Sequence, residues 1–143
     1  MTASRILETL AEEIRAGWAR GRRCRVTVAP DPARALELME AGAPDGCALA
    51  LWYAGDSPAD DRGLVSDTQV EGRFALALSK KAGLAPREGA PGALQEAEDL
   101  RAFLLSEASG DGLLDGWRYG GMDATEAGYT ISLLGCYDCG PED

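Results

Sequence analysis

The sequence predicts one α+β domain over residues 1–143, with about three helices packed on a single mixed, mostly antiparallel sheet. Three observations carry that expectation. Along residues 70–78, Val70, Gly72, Phe74, Leu76 and Leu78 share one face, while Gln69, Glu71, Arg73, Ala75 and Ala77 share the other. The same two-residue period returns near the C-terminus, where Tyr129, Ile131, Leu133 and Tyr137 alternate with Thr130, Ser132, Leu134 and Cys136. A charged amphipathic helix toward each end can cover the apolar face of such strands.

The first helix starts at a Thr2 or Ser4 cap and carries Ile6, Leu7, Leu10, Ile14 and Trp18 in one stripe, with Gly17 and Gly21 at its end. Cys24–Val28 reads as the first strand. Asp31 then caps a second helix with Pro32 in its first position, where a missing N–H costs nothing, and Ala35, Leu36, Leu38 and Met39 form its buried side. Residues 42–46 are a turn, and the apolar run 47–53 suits a strand covered on both faces. Residues 54–67 combine Gly, Pro and Asp without periodicity and predict a loop before the long alternating strand. Residues 85–92 break the chain again. Leu94, Ala97, Leu100, Phe103 and Leu104 then repeat at helical spacing to Ser106, and strands at 117–121 and 129–137 form a terminal hairpin joined by 122–128. The order places strands beside hairpin partners more often than across crossovers, which favours antiparallel pairing.

Composition excludes several classes. The chain of 143 residues is 45% hydrophobic and 27% charged, ordinary values for a globular protein with one core. No apolar run reaches the ~20 residues that span a bilayer, and Glu8, Glu12 and Glu13 interrupt the N-terminal periodicity, unlike a secretory signal. A cytoplasmic location is expected, without membrane association. A net charge of −10 disfavours a reader of DNA that works by neutralising phosphates. The absence of histidine removes Ser-His-Asp and Cys-His catalysis and histidine-ligated metals.

Charge is unevenly placed. Arg15, Arg20, Arg22, Arg23 and Arg25 make a basic segment, while Asp138, Glu142 and Asp143 make an acidic tail. Such segregation is either a solvated basic turn or one half of a head-to-tail contact between copies. Asp56, Asp60, Asp61 and Asp67 cluster in the central loop but lack the spacing of a calcium loop. Gly120, Gly121 and Gly128 lack the Lys-Ser/Thr of a phosphate loop and fit hairpin geometry.

Cys136-x-x-Cys139 is the one motif with direct chemical potential, as a zinc chelate or a redox pair. With Cys24 and Cys47 it makes a candidate tetrathiolate. Those two sit in apolar runs without paired spacing, where cysteine serves as a small hydrophobe, and the CxxC ends a strand instead of opening a helix. No metal or cofactor is therefore expected.

Several local phrases follow one another in a telling order. They are the N-terminal amphipathic helix, the strand ending in Leu51-Trp52-Tyr53-Ala54-Gly55-Asp56, and the strand 69–78 after an irregular loop. A helix around 94–105, the Trp117-Arg118-Tyr119-Gly120-Gly121 hairpin and the terminal strand 129–134 complete it. In this the chain resembles the tail terminator (tail-completion, minor tail) proteins of long-tailed bacteriophages and prophages, over nearly its whole length. The CxxC tail is not part of the family pattern. The resemblance implies a non-enzymatic virion component, present in the host cytoplasm during assembly and then in the virion tail. It would cap the tail tube as a ring, commonly hexameric, and meet neck or connector proteins on the other side, while DNA passes through without specific binding. Arg20, Arg22, Arg23 and Arg25, with Asp56, Asp60 and Asp61, are the candidate contacts between copies. The alternatives are a cysteine-based metal or redox module and another head-tail joining protein.

Overall fold

The computed structural model describes residues 1–22, 24–41, 47–59, 68–80, 92–125 and 128–141. Helix α1 (Ala3–Ala16) begins where extended Thr2 accepts the Arg5 N–H at 3.2 Å, so Thr2 is the cap. Its stripe of Ile6, Leu7, Leu10 and Ile14 is buried, with Ala11 between. At its end a Cβ on Gly17 would collide with the Phe103 ring, so glycine is what lets α1 and α3 (Ala93–Ser106) approach there. Strand β1 (Cys24–Val28) leads to α2 (Pro32–Ala41), which opens on Asp31 Oδ1 accepting the Arg34 N–H at 2.8 Å.

The remaining strands are β2 (Cys47–Pro58), β3 (Gln69–Lys80), β4 (Arg118–Ala124) and β5 (Gly128–Asp138), and the five form one sheet in the order β1-β2-β3-β5-β4. Among the described residues only β1 and β2 are parallel; the other three pairings are antiparallel. The α+β class and the mixed, mostly antiparallel sheet expected from the alternation are thus what the chain adopts.

Register explains how both faces fill. On one face Leu51, Leu76 and Ile131 line up across three strands, flanked by Leu49 and Leu78 and by Phe74 and Leu133. These side chains pack with the apolar stripes of α1 and α3 into the main core. On the opposite face β2 and β3 carry Ala48, Ala50, Ala75, Ala77 and Ser79, and Ala29, Ala35 and Ala50 form a second small core with Leu38 and Trp52. Small residues on that face let α2 sit close over β2.

Three expectations change. Residues 122–124, assigned to the connection of the terminal hairpin, continue β4, where the β5 ladder pairs Met122 with Ile131, Asp123 with Thr130 and Ala124 with Tyr129. Leu36, assigned to the buried side of the second helix, is 56% exposed, because Ala35 and Leu38 already fill the shallow alanine surface. Residues 54–58, assigned to a loop, continue β2 instead: Gly55 pairs with Arg73, Asp56 with Gly72, Ser57 with Glu71 and Pro58 with Val70. A bulge between Tyr53 and Gly55 resets the register, and Gly55 at φ +114° supplies a conformation that other residues rarely adopt. Gly, Pro and Asp content had suggested loop, yet Pro58 closes the strand where its missing N–H does least harm. The predicted turn at 42–46, residues 60–67 of the predicted loop and 85–91 of the predicted break lie outside the described residues.

Burial on two faces makes β3 sensitive to opposite changes. Leu76→Ala, which empties the large-residue face, should lower stability by about 2–5 kcal/mol. Ala77→Leu, which overfills the α2 face, should cost about 1–3 kcal/mol. Urea unfolding measures both, and tolerance of Ala77→Leu would contradict the close seating of α2.

Candidate functional site

Three polar clusters interrupt the apolar packing, and none coincides with the CxxC motif alone. The first lies where β1 and β2 begin. Parallel register sets Cys24 beside Cys47, on the same face as Val26 and Leu49. The two thiols are close enough to act on each other's titration. The neighbouring Cys47 thiol, and then burial, raises the Cys24 pKa; the Cys24 thiol, with Lys80 and Arg22 nearby, lowers that of Cys47 against the opposing effect of its burial. Cys47 is buried and Cys24 half-buried.

Arg22 closes over this end of the sheet. Its Nε donates to Glu96 Oε2 at 3.2 Å and its Nη2 to Asp99 Oδ2 at 3.5 Å, while Nη1 donates to the Trp18 carbonyl. The guanidinium also lies 4.9 Å from the centre of the Trp18 ring. One side chain thus ties the end of α1 to α3, and Glu96, the one buried charged residue among the described residues, has its partner.

The second cluster lies on the same face at the far end of β2. Tyr53 Oη donates to Asp56 Oδ2 at 2.6 Å and meets Tyr137 Oη at 2.8 Å. The rings of Tyr53, Phe74, Tyr137 and Trp117 pack edge-to-face or tilted around them, with centroids 5.1–6.5 Å apart. Burial, followed by the bonds to Asp56 and Tyr137, raises the Tyr53 pKa, and burial does the same to Tyr137, so both phenols stay protonated.

The third cluster occupies the other face, where β5 ends. Arg118 Nη2 pairs with Glu71 Oε2, and the buried Cys136 thiol donates to the same carboxylate oxygen at 3.9 Å. Cys139 is exposed, and its N–H donates to the Thr68 carbonyl at 2.8 Å. Asp138 Oδ1 accepts from Thr68 Oγ1 at 2.6 Å and from the Gly140 N–H at 2.9 Å, bonds that lower its pKa. The CxxC is therefore a strand end stitched to the start of β3.

The four cysteines do not converge. Cys47 faces Lys80 and Cys136 faces Glu71, nine residues apart along β3, which is roughly 30 Å at ~3.3 Å per residue. The tetrathiolate candidate fails on that separation. Among the described residues no group of three or more Cys, Asp or Glu side chains is placed to hold a metal ion.

Of the charged residues expected between copies, Arg20 and Arg25 are exposed at the β1 end and Asp56 is exposed toward the far end of β2. Arg22 is instead engaged within the chain. Arg23, Asp60 and Asp61 lie outside the described residues. The thiol pair and the Tyr53–Tyr137 contact escaped sequence reading because both depend on register. Only the alternation of β3 and β5 hinted that Tyr137 would share a face with Phe74.

The two CxxC sulfurs should respond differently to serine. Cys139→Ser should change stability by less than about 0.5 kcal/mol, whereas Cys136→Ser, at a buried position, should cost about 1–2 kcal/mol. Equal large losses, or unfolding by a chelator, would contradict this assignment. Comparison with models of protein families and with curated proteins finds no match for this chain.

Proposed function

We propose that this chain is a structural protein of a phage or prophage tail, a terminator that caps the completed tail tube as a homo-oligomeric ring and presents its other side to the neck. The observation that carries the reading is the order of elements: helix, strand, helix, strand, strand, helix, strand, strand, assembled on one sheet. That order is what the resemblance rests on. The protein acts by shape and contact, in the host cytoplasm during assembly and then in the virion tail, and no residue is assigned a catalytic role.

Two physical features support it. A ring needs a heterologous interface, and the exposed Arg20 and Arg25 lie at the opposite end of β2 from the exposed Asp56, so a neighbour can bring opposite charges together. A channel through which DNA slides should repel phosphate, and a net charge of −10 favours that. Among the described residues no helix is long and apolar enough to cross a membrane. A second reading, a small cysteine-based redox module, draws on the register pairing of Cys24 with Cys47.

Ring formation through exposed charges should weaken as salt screens them over ~8–10 Å. Light scattering should give a multiple of the 15.0 kDa chain at low salt, decreasing as salt rises. Arg20→Glu with Arg25→Glu should shift the transition to lower salt. A monomer at every concentration in low salt would overturn the ring.

A further inference from the structure

We propose that Cys24 and Cys47 form a reversible thiol–disulfide site, closed by a hydroperoxide and reopened by a small thiol. The proposal is independent of the ring reading and rests on the register of the parallel pair. Neighbouring strands run ~4.8 Å apart, within the ~4.4–6.8 Å Cα separation that a disulfide spans. Cys24 and Cys47 are direct register partners on the same face of the sheet. Closure therefore asks for side-chain rotation and no new strand pairing.

The surroundings separate this pair from ordinary core cysteines. Val26 and Leu49, the next register pair on that face, are buried among aliphatic neighbours. Cys47 is a buried member of the same core and Cys24, half-buried, packs against its edge, with the charges of Arg22, Lys80 and Glu96 acting on them. The two conditions for a reactive thiol are divided between them: Cys24 is the accessible sulfur, and Cys47, buried beside it, is the one whose neighbours favour the thiolate.

The reaction balances without a metal. One sulfur, as thiolate, attacks the O–O bond of hydrogen peroxide, giving a sulfenic acid and, after protonation, one water. The second sulfur displaces the sulfenic hydroxyl, which leaves with the remaining thiol proton as a second water. Each sulfur loses one electron, and the two peroxide oxygens gain them. Two equivalents of a small thiol reverse the step, restoring both S–H groups and leaving with their own disulfide. Closure binds the edge strand β1 covalently to β2.

The competitor is the pair Cys136 and Cys139, one buried and one exposed across the end of β5. The test treats the folded full chain with about one equivalent of hydrogen peroxide, blocks free thiols, and maps peptides by mass spectrometry without reduction. The expected result is a peptide linking Cys24 to Cys47, two free thiols lost per chain, and recovery of both with dithiothreitol. Cys24→Ser and Cys47→Ser should each abolish the linked peptide while the far-UV spectrum stays native. Failure to link Cys24 to Cys47, with both still alkylated or each carried separately to sulfinic acid, overturns the proposal. So does a link that forms only in urea.

Discussion

The structure depends on an imbalance of side-chain size across one sheet. On β2 and β3 the residues toward α1 and α3 are Leu49, Leu51, Phe74, Leu76 and Leu78, whereas those toward α2 are mostly alanine. Large residues fill the wide gap beneath two helices. Small ones allow a third helix to come close. Because successive strand residues alternate faces, a slip of one position would bury alanines under the two helices and push leucines into α2. Register and helix placement therefore fix each other, and the parallel step from β1 to β2 finds room on the alanine face for its connecting helix.

Polar ties then close what the apolar packing leaves open at the edges. Arg22 links the end of α1 to α3 through Glu96 and Asp99, at the margin of the main core. The hydroxyls of Tyr53 and Tyr137 join β2 to β5 across β3, with Asp56 as the final acceptor. On the other face, Glu71 gathers Arg118 and Cys136 from two further strands. Each tie spans elements far apart in sequence, so each rewards the native topology more than any local structure.

Much of this was legible in the residues. The alternation at 70–78 and 129–137 located the two long strands, and Thr2 or Ser4, and Asp31-Pro32, marked two helix starts through capping chemistry that needs no tertiary information, Thr2 being the cap the structure uses. What failed depended on partners. Leu36 reads as core by periodicity, but its exposure follows from how little surface α2 must cover. Residues 54–58 read as loop by composition, yet the ladder offered by β3 and the freedom of Gly55 hold them as strand. Arg22 reads as surface charge in a run of arginines, and only the fold brings Glu96 to it. The nearness of Cys24 to Cys47 could not be read at all, since a 23-residue separation says nothing about a parallel register.

The tail-terminator reading joins this architecture to a role in which contact between copies, and not chemistry, is the activity. A cap of this kind belongs at one place in a virion, the end of the tail nearest the head. The most direct measurement is electron microscopy of particles induced from a host that carries the gene, labelled with antibody raised against this chain. Label confined to the head-proximal end of the tail, and tails of uncontrolled length or without heads when the gene is deleted, are the predicted results. Normal, infectious particles from the deletion strain, with no label on those from the parent, would contradict the account.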